Sequence, residues 1–152
     1  MRLAKQADID AFYDKAIYHP EVGQYLTNSQ WLSETTAPKD DWNQVILTND
    51  AITVLLKISI SRSDGNGFSI GLFSTNALAA GRAVQFVKDH LMKRYQPRYI
   101  QTSVQSVNEK SLKMNQKLFG DPWGKEPLGA WNSKLGHYVD LIWFRKNLFY
   151  MQ

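Results

Sequence analysis

The chain has 152 residues, with 18 Lys and Arg against 14 Asp and Glu, a formal net charge of +4, and no cysteine. That length predicts one domain, residues 1–152, around one core, and the missing cysteines exclude a disulfide framework or a thiolate zinc site. Residues 1–8 have no apolar signal core and no run approaches the roughly 18 apolar residues of a membrane span, so a soluble, cytoplasmic protein is expected.

Asp8 is placed to cap a first helix whose apolar stripe is Ile9, Phe12, Ala16 and Ile17. His19 and Pro20 end it, and Pro20 can start a second helix that continues the buried face through Val22, Tyr25 and Leu26. The polar stretch 35–41, with Pro38, reads as a loop. β-Branched runs at 45–48 and 52–60 are separated by Asn49-Asp50, a tight hairpin signal, and the turn residues 63–67 lead into a strand at 68–74. Three antiparallel strands in series follow from this.

Asn76 caps the next helix, with Leu78, Val84, Val87 and Leu91 spaced along one face. A strand at 98–104 precedes the capping box Ser106-Val107-Asn108-Glu109, which starts a helix ending near Leu118-Phe119-Gly120. Leu112, Asn115 and Phe119 share a face of that helix. The Gly- and Pro-bearing run 120–127 reads as a loop, before final strands at 130–133 and 137–144. The order of elements predicts an α+β fold with helices on both faces of one sheet.

The segment 69–87 is the most informative. An apolar strand passes through a small-residue turn into an amphipathic helix whose start carries Ala79, Ala80, Gly81 and Ala83. Unpaired amides and the positive dipole end favour an anion there, and these side chains are too small to keep a phosphate away. Close helix–sheet packing is the competing reason for small residues at such a place. Arg82 reads either as a phosphate contact or as a solvated helix residue.

Together these motifs resemble the core of the GNAT acetyltransferase superfamily. The family's loop, Gln/Arg-x-x-Gly-x-Gly/Ala, is matched at Gly81 and Ala83 and departs at Leu78. Its later helix has an Asn near the start and a Leu-Gly-Phe ending; here Asn108 and the inverted Leu118-Phe119-Gly120 stand in those places. The resemblance implies a mixed, mostly antiparallel sheet of six to seven strands. It also implies acetyl-CoA as co-substrate, its pyrophosphate on the central helix and its pantetheine arm between two splayed strands, against the backbone of Phe73 and Ser74. Asn108 contacts the cofactor in the family, although an Asn in a first turn is equally suited to capping.

The family often carries a general-acid Tyr seven residues after that Asn, where this chain has Asn115. A buried Asn must find hydrogen-bond partners, so it marks a cleft or a satisfied network, and it cannot act as an acid. Ser111, one turn earlier, is a weak donor that could lie near the thioester sulfur or simply at the surface. The strand 68–74 offers no Asp or Glu, leaving Asp50, Asp64, His137 and Asp140 as candidate bases and Tyr138 as an alternative proton donor.

His19, His90 and His137 lie in separate elements, so no metal site is expected, and the basic residues Lys88, Lys93, Arg94 and Arg98 gather at a helix end, where they complement its dipole. No nucleic-acid partner is expected. Five tryptophans include Trp31, Trp42 and Trp123 beside loops, a surface for a second copy or a protein partner. Two classes follow: an enzyme moving an acetyl group from a CoA thioester to an amine, and a catalytically inactive, GNAT-like binding or assembly protein such as a divergent phage-encoded virion assembly factor.

Overall fold

The computed structural model describes residues 1–16, 18–19, 22–25, 42–61 and 67–148. Seven strands form one sheet in the order β1-β2-β3-β4-β5-β7-β6. They are β1 (Arg2–Leu3), β2 (Trp42–Thr48), β3 (Val54–Ser61), β4 (Phe68–Ser74), β5 (Tyr99–Gln105), β6 (Gly124–Asn132) and β7 (His137–Asn147). Every neighbouring pair is antiparallel except β4 and β5.

The helices are α1 (Gln6–Ala16), α2 (Ala77–Phe86) and α3 (Glu109–Phe119), with a 3₁₀ turn at Gly23–Tyr25. Period-two alternation assigns β2 and β3 to two cores. Ile46 and Leu55 pack with Ile9, Phe12 and Ala16 of α1. Leu47, Leu56 and Ile58 pack with Phe68 and with Val87, just beyond α2, on the other face. Ile100 belongs to that second face, and Thr102 stands directly opposite Phe144, which packs on Phe119 of α3 at 6.3 Å. Helices α2 and α3 therefore share a face of the sheet, with α1 on the opposite one.

Several local expectations shift. Helix α1 begins at Gln6, so Asp8 sits in its first turn, where its Oδ2 accepts from the Lys5 amide at 2.8 Å. The Arg2 guanidinium grips the same carboxylate through Nη1 at 2.7 Å and Nη2 at 3.1 Å. These bonds, Arg2 first, hold the Asp8 carboxyl down to about 2. A depressed carboxylate stabilises the fold fully above its unfolded value near 3.8, and that contribution disappears as pH falls through 2. Melting temperatures of wild type should therefore fall more steeply between about pH 4 and pH 2 than those of Asp8→Asn; parallel slopes would contradict the assignment.

The β2–β3 connection is a five-residue loop, 49–53, rather than a two-residue hairpin. Asn49 closes it, accepting from the Thr53 amide at 2.9 Å and donating to Thr53 Oγ1 at 2.8 Å, while Ile52 takes φ 54°. Beyond α2 the helix runs through a π-helical turn, Val87–Leu91, into a last α-turn, Met92–Tyr95. In an unbroken α-helix Met92 would lie about 140° round from Val87; the wider turn brings it back to the sheet, where both pack in the same core.

Leu78 is 65% exposed and does not join the buried face expected of it. The cap of α3 is Asn108, whose Oδ1 accepts from the Ser111 amide at 3.3 Å, so Ser106 lies outside the helix. Residues 124–127, read as loop, belong to β6, which bulges between Glu126 and Ala130 with Leu128 at φ 51°. The expectations for Ile17, Pro20, Leu26, the 35–41 loop and Asp64 lie outside the described residues. No helix among the described residues is long and apolar enough to cross a membrane.

Candidate functional site

Strand β4 pairs with β3 along its whole length, from Phe68 opposite Ile60 to Ser74 opposite Val54. Strand β5 pairs with β7 from Tyr99 to Gln105. Between them the parallel ladder has only two positions, Phe68 with Ile100 and Ser69 with Gln101. The next bond is made by a side chain: Thr102 Oγ1 donates to the Ile70 carbonyl at 2.7 Å. Past that point the strands diverge with their outer edges still held, leaving a wedge that opens toward their C-terminal ends.

Strand alternation identifies the groups that face the wedge. Ile70 turns its carbonyl to β5, so Leu72 presents its N–H and C=O the same way with no described strand opposite, whereas Phe73, expected to offer its backbone to the cofactor, turns those groups to β3. The Arg98 carbonyl accepts from the Leu148 amide on the β7 side, so odd-numbered Ser103 turns its backbone groups into the wedge. Main-chain donors and acceptors thus line both walls, the arrangement an extended amide-bearing ligand can pair with.

Two residues, Thr75 and Asn76, separate the end of β4 from helix α2. Asn76 Oδ1 caps the Ala79 amide at 3.0 Å and its carbonyl takes the Ala80 amide at 3.0 Å. Ser74 Oγ accepts from the Asn76 amide at 3.1 Å. The amides of Gly81, Arg82 and Ala83 lie beyond the first four residues, where the helix ladder uses them, so the first-turn donors left for an anion are those of Ala77 and Leu78.

The two flanks of α2 differ. Leu78, Ala79, Arg82, Gln85 and Phe86 line a groove against Arg2 and the 49–53 loop. At 100° per residue the opposite flank, toward β5, carries Ala77, Gly81 and Val84. Gly81 is exposed, and a Cβ built on it meets nothing within 4 Å, so no packing among the described residues requires its small size. Arg82 is turned to the groove, away from the wedge.

Asn115 is buried, and its Nδ2 donates to the Ser111 carbonyl at 2.8 Å within α3. His137 and Tyr138 are exposed at the start of β7. Tyr138 stands edge-on to Trp131, with ring centroids 5.2 Å apart. Asp50 pairs with Arg2 Nε at 3.3 Å. Asp140 pins the β6 bulge, accepting from the Leu128 amide at 2.9 Å. Of the tryptophans named for a partner surface, Trp123 is 64% exposed and stacks on the Arg145 guanidinium at 4.4 Å; the side chains of Trp31 and Trp42 lie outside the described residues. No group of three or more His, Asp or Glu that could hold a metal occurs among the described residues.

Sequence reasoning missed a buried polar network at the end of β5. Asn132 is fully buried, its Nδ2 donating to Gln105 Oε1 at 3.0 Å and Gln24 Oε1 at 3.4 Å and its Oδ1 accepting from the Leu135 amide at 3.0 Å. Gln105 Nε2 donates to the Trp131 carbonyl at 3.2 Å. The network ties the 3₁₀ turn and the β6–β7 turn to the rim of the wedge.

No protein-family model matches the sequence, and no curated protein does. Solved structures match the whole architecture. The ribosomal-protein-S5-alanine acetyltransferase from Vibrio fischeri has a TM-score of 0.67 at 17% identity, over 96% of this chain and 91% of that one. The ribosomal-protein-S18-alanine N-acetyltransferase from Escherichia coli gives 0.69 at 11%, over 99% and 94%. YncA from Salmonella typhimurium, assigned as an acetyltransferase and solved with its cofactor acetyl-CoA, gives 0.62 at 18%, over 99% and 94%. The strand order, the single parallel pair that splays, and the helices flanking the splay on one face make this chain a GNAT-fold protein.

Proposed function

We propose that the chain is an N-acetyltransferase that takes an acetyl group from acetyl-CoA and passes it to an amine, on a small molecule or a protein. The observation that carries this reading is the β4–β5 ladder that stops after two positions and leaves backbone groups on both walls without a ladder partner among the described residues. The pantetheine arm would pair with the Leu72 carbonyl and with the backbone of Ser74, the even-numbered β4 positions that face the wedge. The pyrophosphate rests at the start of α2, beside Ala77 and the open side of Gly81, with Ala79, Ala80 and Ala83 keeping that helix slim. Asn108 and Ser111, in the first turn of α3 just past the end of β5, are the residues of that helix that would meet the cofactor.

Acetyl-CoA supplies an acyl group on a thiolate that leaves readily, its thiol resembling a free cysteine with a pKa of roughly 8.5. The amine nitrogen bonds to the acyl carbon, the carbon–sulfur bond breaks, and the amine proton leaves with the thiol or through water. The chain contributes orientation, and the Leu72 N–H, which faces the wedge, would be the donor to the negative charge that develops on the acyl oxygen. Asn115, bonded to its own helix, gives no proton.

The expected result is slow transfer to amines whose rate rises steadily with pH as the acceptor deprotonates. A bell-shaped profile would overturn that mechanism and direct mutagenesis to His137 and Tyr138. The second reading, a GNAT-fold binding or assembly protein without catalysis, is favoured by the Asn115–Ser111 bond and by the exposed Trp123, Trp131 and Tyr138. Acetyl-CoA binding without transfer to any amine would support it.

A further inference from the structure

We propose that Thr102 is the positioning residue that fixes the apex of the wedge. In a continued parallel ladder the Ile70 carbonyl would accept from the Ser103 amide, one rung past the pairing of Ser69 with Gln101. It accepts from the Thr102 hydroxyl instead, at 2.7 Å. The carbonyl is thereby satisfied without the backbones closing, and the Ser103 amide stays directed into the gap. A carbonyl left bare beside a free amide would otherwise draw the strands together, because unmet backbone groups are costly.

Both outer edges are held to their ends, β4 by β3 as far as Ser74 and β5 by β7 as far as Gln105, so the apex is where the depth of the wedge is set. Thr102 suits the position. Its β-branch restricts χ1, which limits the directions its hydroxyl can take. Its side chain is part-buried on the face shared by α2 and α3. As regards its ligand, this proposal rests on the acetyl-CoA reading; as regards the apex itself, it stands on the free protein.

The decisive variant is Thr102→Val, which keeps the shape and deletes the donor. Amide hydrogen exchange resolved by residue should show the Ser103 amide slowed about fivefold, because one added ladder bond contributes on the order of 1 kcal/mol. Acetyl-CoA affinity, measured by calorimetry, should fall by about the same factor as the wedge loses a rung. Thr102→Ser restores both, since the hydroxyl returns. If Thr102→Val does not fold, Thr102→Ala carries the same two readouts.

A purely structural threonine would lower the melting temperature while leaving Ser103 exchange unchanged, and that result overturns the proposal. If wild type does not bind acetyl-CoA, the ligand reading fails alone, and the exchange comparison still decides the apex.

Discussion

Gly81→Glu should stabilise the protein and, in the same variant, destroy acetyl-CoA binding. Gly81 lies in the interior of α2 and is exposed, and a Cβ there meets nothing within 4 Å. Replacing a mid-helix glycine by a good helix former is favourable by about 0.5–1 kcal/mol. The same change sets a carboxylate on the flank of α2 that faces the wedge, where the pyrophosphate is proposed to rest. Like-charge juxtaposition costs several kcal/mol, so affinity should drop about a hundredfold or more. Thermal melting and calorimetric titration of one preparation read both effects. A variant that melts higher and binds acetyl-CoA as wild type does would move the seat to the groove flank of α2, beside Arg82 and Asp50.

The largest loss of stability is expected from Asn132→Ala. The side chain is fully buried and serves Gln105, Gln24 and the Leu135 amide at once. Truncation strands the buried Gln105 and takes a partner from the part-buried bonds to Gln24 and the Leu135 amide, and a buried polar group left unpaired costs about 1–3 kcal/mol. A total near 3 kcal/mol corresponds to a fall of about 9 °C in melting temperature for a domain of this size. Because Gln105 ends β5, acetyl transfer should weaken as well once the rim of the wedge loosens. A melting temperature within about 2 °C of wild type would show that the network contributes little.

Much of the fold was legible from periodicity. The apolar alternation of 68–74 gave β4 to the residue, and Asn76, whose side-chain oxygen can meet only an amide two or three positions on, marked the start of α2. The Ser106 cap was misplaced by two residues because Ser106-x-x-Glu109 and Asn108-x-x-Ser111 overlap, and local chemistry does not choose between them. The strand at 124–127 was hidden by Pro127 and by the bulge at Leu128, since an edge strand accepts both without losing its pairing to β7.

The site was legible only in part. Small residues on α2 pointed to a seat for an anion, yet which of its amides stay free depends on the Asn76 cap, and which flank Arg82 takes depends on where α2 lies over β3 and β4. Thr102 carries no signal at all in the sequence. A threonine alternating with Ile100 and Val104 is an ordinary strand residue, and its role comes from an acceptor 32 positions away.

The most direct test of the account is a titration of the isotopically labelled protein with acetyl-CoA, followed through its backbone amide signals. The account predicts saturable shifts at Leu72 and Ser103 on the walls of the wedge and at Ala77 and Leu78 at the start of α2, with Asn49, Asp50 and Gln85 in the neighbouring groove unmoved. No shifts at millimolar acetyl-CoA, or shifts confined to that groove, would contradict it.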